Sequence, residues 1–388
     1  MTAGPPRLPV LDVLRGIAIL GTLATNLWIF TNPAGSPGDF DGPPPTDPLE
    51  IVLRQLSTGK FLALLSLMFG MGLVIQRDAA ARAGLRWPGG YHRRALILFL
   101  DGVLNYLLVL EFDVLMGYAV SGVLVAWLLL LGDRAQWRWI LGLAALHLAI
   151  LTAAAVALSP FPPPQYSDPA AFAADLDWNP FRDGSWWQLV VFRLDNVAMY
   201  RIVEPVMIMP LTVAMFLLGA WLFRAGVFAP EGARLRRGLM VAGALALPLD
   251  LAIALEAGMP WWFFTRWGTA PVVALGILAA VAAFYRSRAP GWVGRRLAEV
   301  GRTALSCYVL QNLLATAVCY GWGLDLAGRI DESQRLAATV LLYLALCPLL
   351  VLLAHLWLRR FARGPLEAVW AGAHHGRGRA REVLPPAP

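Results

Sequence analysis

Apolar residues fall into long blocks along this chain, parted by short stretches rich in arginine, proline and glycine. A helix that crosses a bilayer needs about 20 mostly apolar residues. Blocks of that kind lie at 10–30, 56–76, 95–112, 114–132, 139–158, 204–223, 238–257, 269–286, 304–322 and 337–358. They predict an all-α fold, a polytopic transmembrane helix bundle of about ten spans. The first block does not read as a cleaved leader, because Asp12 and Arg15 interrupt it and no small-residue cleavage site follows.

Composition narrows the class. Of 388 residues, 58% are hydrophobic and only 15% charged, against about 25% charged in an ordinary soluble domain. Such a chain can cover a lipid-facing surface but not a water-facing one, so the bilayer is its first partner. The net charge of +7 would suit nucleic acid only if the basic residues formed one face or stripe. They sit instead in clusters between apolar blocks, so no nucleic-acid partner is expected. Cys307, Cys319 and Cys347 all lie inside apolar blocks and read as packing residues. Neither they nor the histidines cluster at metal-ligand spacing, so no metal and no bound cofactor is expected.

Arginine placement gives orientation. With a cytoplasmic N-terminus, the inner segments hold 23 of the 32 basic residues and the outer segments eight, Arg15 lying within the first span. Both termini are then cytoplasmic. Residues 1–363 form a single transmembrane domain, and 364–388 form a cytoplasmic tail carrying the adjacent His374 and His375. Residues 32–50, rich in Pro, Gly and Asp, suit an exposed outer loop. Residues 159–203 mix Trp178, Phe181, Trp186, Trp187 and Phe192 with Arg182, Asp183, Arg193 and Asp195. That mixture predicts either an aromatic belt at the outer interface or a cover over an outward cavity.

Polar groups at membrane depth are costly, which makes them functional candidates. On the first helix Asp12 and Arg15 are neighbours on one face, and Asn26 returns to that face 11 residues and about 16 Å beyond Arg15. Lys60, the only lysine, opens the second block, where snorkelling would account for it. Ser66 and Gly70 make a small face suited to close helix packing. Asp101 and Asn105 share a face of the third block, and Glu111 and Asp113 occupy the turn after it. Asp250 follows the kink-prone Pro248, and Glu204 precedes Pro205. The ninth block carries Ser306, Tyr308, Gln311 and Asn312. Together they predict a polar interior, with Asp12, Arg15, Asn26, Asp101, Asp113 and Tyr308 lining one cavity. Membrane enzymes and transporters share that property, and no P-loop, dinucleotide, zincin or nucleophile-elbow motif separates them.

The strings LDVLRGIAILGTLATN, GKFLALLSLMFGMG, YHRR, FDVLMGYAVSG, GRTALSCYVLQNLL, YGWGLDLAG and HLWLRRFARGPLEAVW occur in this order. Their pattern resembles the domain-of-unknown-function 418 family of bacterial inner-membrane proteins. More distantly, Asp-x-x-Arg at the start of helix one is similar to the acyltransferase-3 family and to the heparan-alpha-glucosaminide N-acetyltransferases. That likeness implies transfer of an acyl group from cytoplasmic acyl-CoA to an extracytoplasmic glycan or lipid acceptor. In the acyltransferase-3 pattern a catalytic histidine follows the arginine by 11 residues, where this chain has Asn26. An amide orients a group or donates to an oxyanion, but it does not act as a base. His147 and His355, the membrane-placed histidines, match no catalytic role. The implied catalytic set is Asp12, Asn26 and Asp113, with Asp113 as base ahead of Asp250. The implied substrate-binding set is Arg15, Lys60, Arg93, Arg94, Asp101, Tyr308 and Gln311, with the arginines meeting CoA phosphates. The rival readings are a small-solute transporter or permease, and a sensor or scaffold without catalysis. The oligomeric state is left open.

Overall fold

The computed structural model describes residues 8–35, 45, 47–158, 178–256 and 264–369. Most of the 32–50 loop, the Pro-rich stretch at 159–177, Arg7 and the tail beyond 369 with His374 and His375 lie outside the described residues. Among the described residues the fold is an all-α bundle. In chain order its first helices are α1 (Pro9–Phe30), α2 (Pro48–Ser57), α3 (Lys60–Arg82), α4 (Tyr91–Leu108), α5 (Leu115–Leu128) and α6 (Asp133–Leu158). Two short outer helices follow, α7 (Pro180–Asp183) and α8 (Trp186–Asp195), then α9 (Glu204–Arg224), α10 (Ala233–Glu256) and α11 (Ala270–Tyr285). The chain continues through α12 (Trp292–Arg302), α13 (Ala304–Cys319), α14 (Leu326–Arg329) and α15 (Glu332–Leu358). Each of the ten apolar blocks overlaps one of the helices of 14 residues or more.

Among the described residues seven helical stretches, holding α1, α3, α6, α9, α10, α11 and α15, are long and apolar enough to cross a membrane. They mark the chain as a membrane protein. The expected 114–132 and 304–322 blocks are shorter as helices. α5 has 14 residues and α13 has 16, about 21 and 24 Å at 1.5 Å per residue, short of a hydrocarbon core of about 30 Å. α4 reaches 18 residues but carries Arg93, Arg94 and Asp101.

α1 is the central post. In its most apolar window 72% of residues are buried, against 11% in the stretch containing α10 and 17% in α15. Those outer helices present apolar faces such as Leu245, Leu249, Leu341 and Leu344, as lipid contact requires. Two glycines let α1 cross α12 at backbone contact. A Cβ on Gly16 would lie 2.0 Å from the Leu297 carbonyl oxygen, and one on Gly301 would lie 1.8 Å from that of Asp12. The predicted small face of α3 behaves likewise at Gly70, whose added Cβ would meet the Phe216 carbonyl at 1.9 Å.

Local signals explain the element ends that matter for the site. Asp47 accepts from the Leu49 amide at 2.8 Å and Pro48 opens α2. Gly59, at φ +74°, breaks the chain between α2 and α3 where Arg266 O leaves no space for a side chain. α8 starts with a capping box of Ser185 and Gln188, and α15 with one of Asp331 and Gln334.

A candidate site of two back-to-back cavities

Toward the end that holds the inner arginines, a cavity of about 600 Å³ opens between α1, α3, α4, α12 and α13. Among the described residues five arginines line it, Arg15, Arg93, Arg94, Arg302 and Arg363, with Glu367 as the only acid. Arg15 is one-third exposed and its guanidinium lies 3.3 Å from Asp12 Oδ1. Arg93 and Arg94 enter from the first turn of α4, and Gln76, Gly72 and Tyr91 complete the polar lining. Five guanidinium groups around one hollow make a site for a polyanion, since each offers a planar fork matched to phosphate oxygens.

A second cavity of about 120 Å³ lies further along α1. Thr22, Thr25 and Asn26 line it, with Ser66, Asp113, Tyr118, Arg201, Arg266 and Trp267. Leu65, Val114, Tyr118 and Tyr308 line both cavities. The two hollows therefore stand end to end with one layer of side chains between them. Tyr118 in this wall is fixed by Ser66 Oγ at 2.6 Å and donates to the Leu62 carbonyl at 3.1 Å. The shortness of α5 and α13 makes room for this arrangement. Val114 and Leu115 at the start of α5, and Ala304 and Leu305 at the start of α13, border the larger cavity.

Asp113 is held by its own turn. Its Oδ1 accepts from Asn105 Nδ2 at 2.7 Å, and its Oδ2 accepts from the Leu115 and Met116 amides at 2.8 and 3.3 Å. The carboxylate thus caps α5, in a residue that lines the smaller cavity. The outer segment clamps this turn. Arg193, buried on α8, pairs with Glu111 at 3.3 Å and donates to the Leu107 and Val109 carbonyls. Arg201 donates to the Asp113 carbonyl at 2.7 Å and to that of Glu111, with its guanidinium 4.6 Å from the Tyr106 ring centre. Among the described residues, 178–203 is a pinned cover over the Asp113 turn: Phe181 is buried against Tyr320, while Trp187 is exposed.

The amides on α1 and α13 interlock. Asn26 Nδ2 donates to Asn312 Oδ1 at 3.0 Å, and Gln311 Nε2 donates to Thr22 Oγ1 at 3.2 Å. Asn312 Nδ2, Gln311 Oε1 and Ser121 Oγ are buried with hydrogen-bonding capacity that no described residue uses. Ser121 is itself in the lining of the smaller cavity, whose interior therefore favours a polar group.

Several expectations change. The six residues expected around one cavity divide: Arg15 borders the larger hollow, Asn26 and Asp113 the smaller, and Tyr308 both. Asp12 is buried at the α1–α12 crossing and acts on Arg15 from behind. Asp101, on α4, borders neither cavity, and Asn105 one turn on acts through its hydrogen bond to Asp113. Lys60 does not snorkel. Its side chain is 1% exposed, and its ammonium lies 2.5 Å from Asp250 Oδ2 and donates to Gln55 O at 2.6 Å. Asp250 Oδ1 accepts from Thr269 Oγ1 at 2.5 Å, so both charges are consumed in joining α3 to α10. His147 contacts the Met207 carbonyl at 3.2 Å and His355 pairs with Glu299 at 3.2 Å. The side chain of Glu204 lies outside the described residues. Sequence reasoning missed Arg302, Arg363, Arg201 and Arg266 as site residues, because each had been counted only toward orientation.

The model of the family described as "Protein of unknown function (DUF418)" matches residues 222–376. "Uncharacterized protein YxaH" of Bacillus subtilis (strain 168) is 28% identical over 405 residues, covering 95% of this chain and 94% of that protein. "Uncharacterized protein YeiB" of Escherichia coli (strain K12) is 28% identical over 385 residues, covering 93% and 94%. The family resemblance read from the sequence is thereby borne out. The matched region holds Arg302, Tyr308, Gln311, Arg363 and Glu367, and the two relatives extend the likeness over more than nine-tenths of the chain.

Proposed function

We propose that this protein is a multi-pass acyltransferase of the bacterial inner membrane, with both termini cytoplasmic. It takes an acyl group from cytoplasmic acyl-CoA and passes it to an extracytoplasmic glycan or lipid acceptor. The observation that carries this reading is the pairing of an arginine-lined cavity with a carboxylate-bearing one across a single wall of Leu65, Val114, Tyr118 and Tyr308. The arginines also sort by cavity in the way the topology requires. Arg15, Arg93, Arg94, Arg302 and Arg363 stand toward the inner end, and Arg201 and Arg266 toward the outer.

In this reading the CoA phosphates rest on the inner arginines and the thioester reaches the wall. An acceptor hydroxyl in the outer cavity attacks the thioester carbonyl while Asp113 takes its proton. Asn26 has a second amide proton beyond the one given to Asn312, and with Tyr308 it donates to the developing oxyanion. The C–S bond then breaks, the acyl group stays on the acceptor oxygen, and CoA leaves as a thiolate that regains a proton from the cytoplasm. Among the described residues Asp113 is the only one lining the outer cavity that carries a carboxylate, whereas Asp250 is already neutralised by Lys60. A base in that position is worth about 10²–10⁴ in rate.

The test is binding of acetyl-CoA, longer acyl-CoAs and free CoA to the purified protein in nanodiscs. Saturable binding that weakens in Arg15→Ala supports the reading. A folded protein that binds none of them sinks it and makes solute uptake the next assay.

A further inference from the structure

Among the described residues, the one acid in the arginine-lined cavity, Glu367, comes from the far end of the chain. After α15 the polypeptide turns back, with Arg302 donating to the Ala362 carbonyl at 3.1 Å and Trp357 to that of Arg363 at 2.8 Å. This fold-back places Glu367 over the first turn of α13. Its Oε2 accepts from Ser306 Oγ at 2.5 Å, and its Oε1 accepts from the Leu305 and Ser306 amides at 2.8 and 3.3 Å. The Leu366 amide in turn donates to Ser306 Oγ at 3.1 Å. A hydroxyl and two helix-terminal amides, beside Arg302 and Arg363, form a set of donors suited to a phosphate oxygen. Here they hold a carboxylate delivered by the protein itself.

We propose that Glu367 is an internal competitor for the anionic donor: the segment 361–369 lays its carboxylate where a CoA phosphate binds, and CoA displaces it. This rests on the donor reading of the inner cavity. Ser306, Arg302 and Arg363 thereby join Arg15, Arg93 and Arg94 in phosphate binding, and the tail becomes a brake on donor entry. Glu367 is suited to being displaced. It is only half-buried, and its neighbours Ala368 and Val369 are exposed, so releasing it opens no apolar core.

The experiment compares CoA binding by full-length wild type, Glu367→Gln and Glu367→Ala in phosphatidylcholine nanodiscs, with thermal unfolding as the folding control. Both variants should bind CoA about three- to tenfold more tightly, since a site filled by its own chain loses apparent affinity by the fraction occupied. Hydrogen exchange supplies an independent reading: saturating CoA should speed exchange of the Leu366 amide while Leu305 and Ser306 stay protected. Equal or weaker CoA binding in both variants, with unchanged unfolding temperature, overturns the competitor and leaves the donor site standing. Unchanged Leu366 protection under saturating CoA does the same. Release driven by phosphatidylglycerol alone overturns CoA as the displacing ligand. Absence of CoA binding in wild type and variants alike removes the donor reading, and the competitor with it.

Discussion

Lys60 Nζ lies 2.5 Å from Asp250 Oδ2, and neither side chain is more than 1% exposed. The ammonium is also held by the Gln55 carbonyl, and Asp250 by Thr269. One contact thus ties the α2–α3 junction to α10 and to the turn before α11. Removing one partner leaves an uncompensated buried charge. Lys60→Met should lower stability by about 3–5 kcal/mol, whereas Lys60→Met with Asp250→Leu should recover most of it. Thermal unfolding of the three proteins in one detergent decides this. A single variant as stable as wild type would show that the pair is not the lock described.

Asp113 has two duties that can be separated. Asp113→Asn keeps an oxygen for the α5 amides, so the stability cost should stay near about 1 kcal/mol. Acyl transfer should fall at least about 100-fold while CoA affinity holds. Transfer measured with radiolabelled acyl-CoA, beside CoA binding, separates the two effects. Full transfer in Asp113→Asn would exclude it as the base.

The inner arginines should act through charge. Arg94→Ala and Arg15→Ala should each weaken CoA binding about tenfold at low salt, with smaller losses at high salt. Arg15 depends on Asp12, its partner at 3.3 Å, so Asp12→Asn should weaken CoA less than Arg15→Ala does. Titrations at two ionic strengths test both statements.

The α1–α12 crossing tolerates no added atom. In Gly301→Ala the new Cβ would fall 1.8 Å from the Asp12 carbonyl oxygen, which is backbone and has nowhere to move. A loss of about 3 kcal/mol or more is expected, seen as a lower unfolding temperature or a failure to accumulate. Gly117→Ala, at a position with open space around its Cβ, is the matching control.

How far the sequence spoke depended on distance along the chain. The polar face of α1 could be read because Asp12, Arg15 and Asn26 share one helix, whose period is known. The polar set on α13 was visible for the same reason, and Gln311 and Asn312 do meet Thr22 and Asn26. Lys60 and Asp250 are 190 residues apart, and no periodicity joins them. Snorkelling was an adequate local explanation of Lys60, and the folded chain pairs it with Asp250 instead. Asp101 and Asn105 share a face, but only Asn105 reaches Asp113, because α4 ends at Leu108 and the chain folds back one turn beyond it. Arg302, Arg363 and Glu367 were hidden differently. Basic residues at the cytoplasmic rim are expected of any multi-pass protein, so their gathering around one hollow needed the folded chain.

The wall of Leu65, Val114, Tyr118 and Tyr308 bears on the electrical life of such a protein. Where two hollows approach from opposite faces, the insulating thickness shrinks to what separates them, and the membrane voltage drops mainly there. A charge carried through that layer would do work of about 2.3 kcal/mol per 100 mV. A neutral acyl group would do none, while the phosphates of its carrier would remain on the side they came from. The proton left with Asp113 on the outer side and the one drawn by the CoA thiolate from the cytoplasm nevertheless amount to one charge across that layer, so transfer would run more slowly in an energised cell than in a depolarised one.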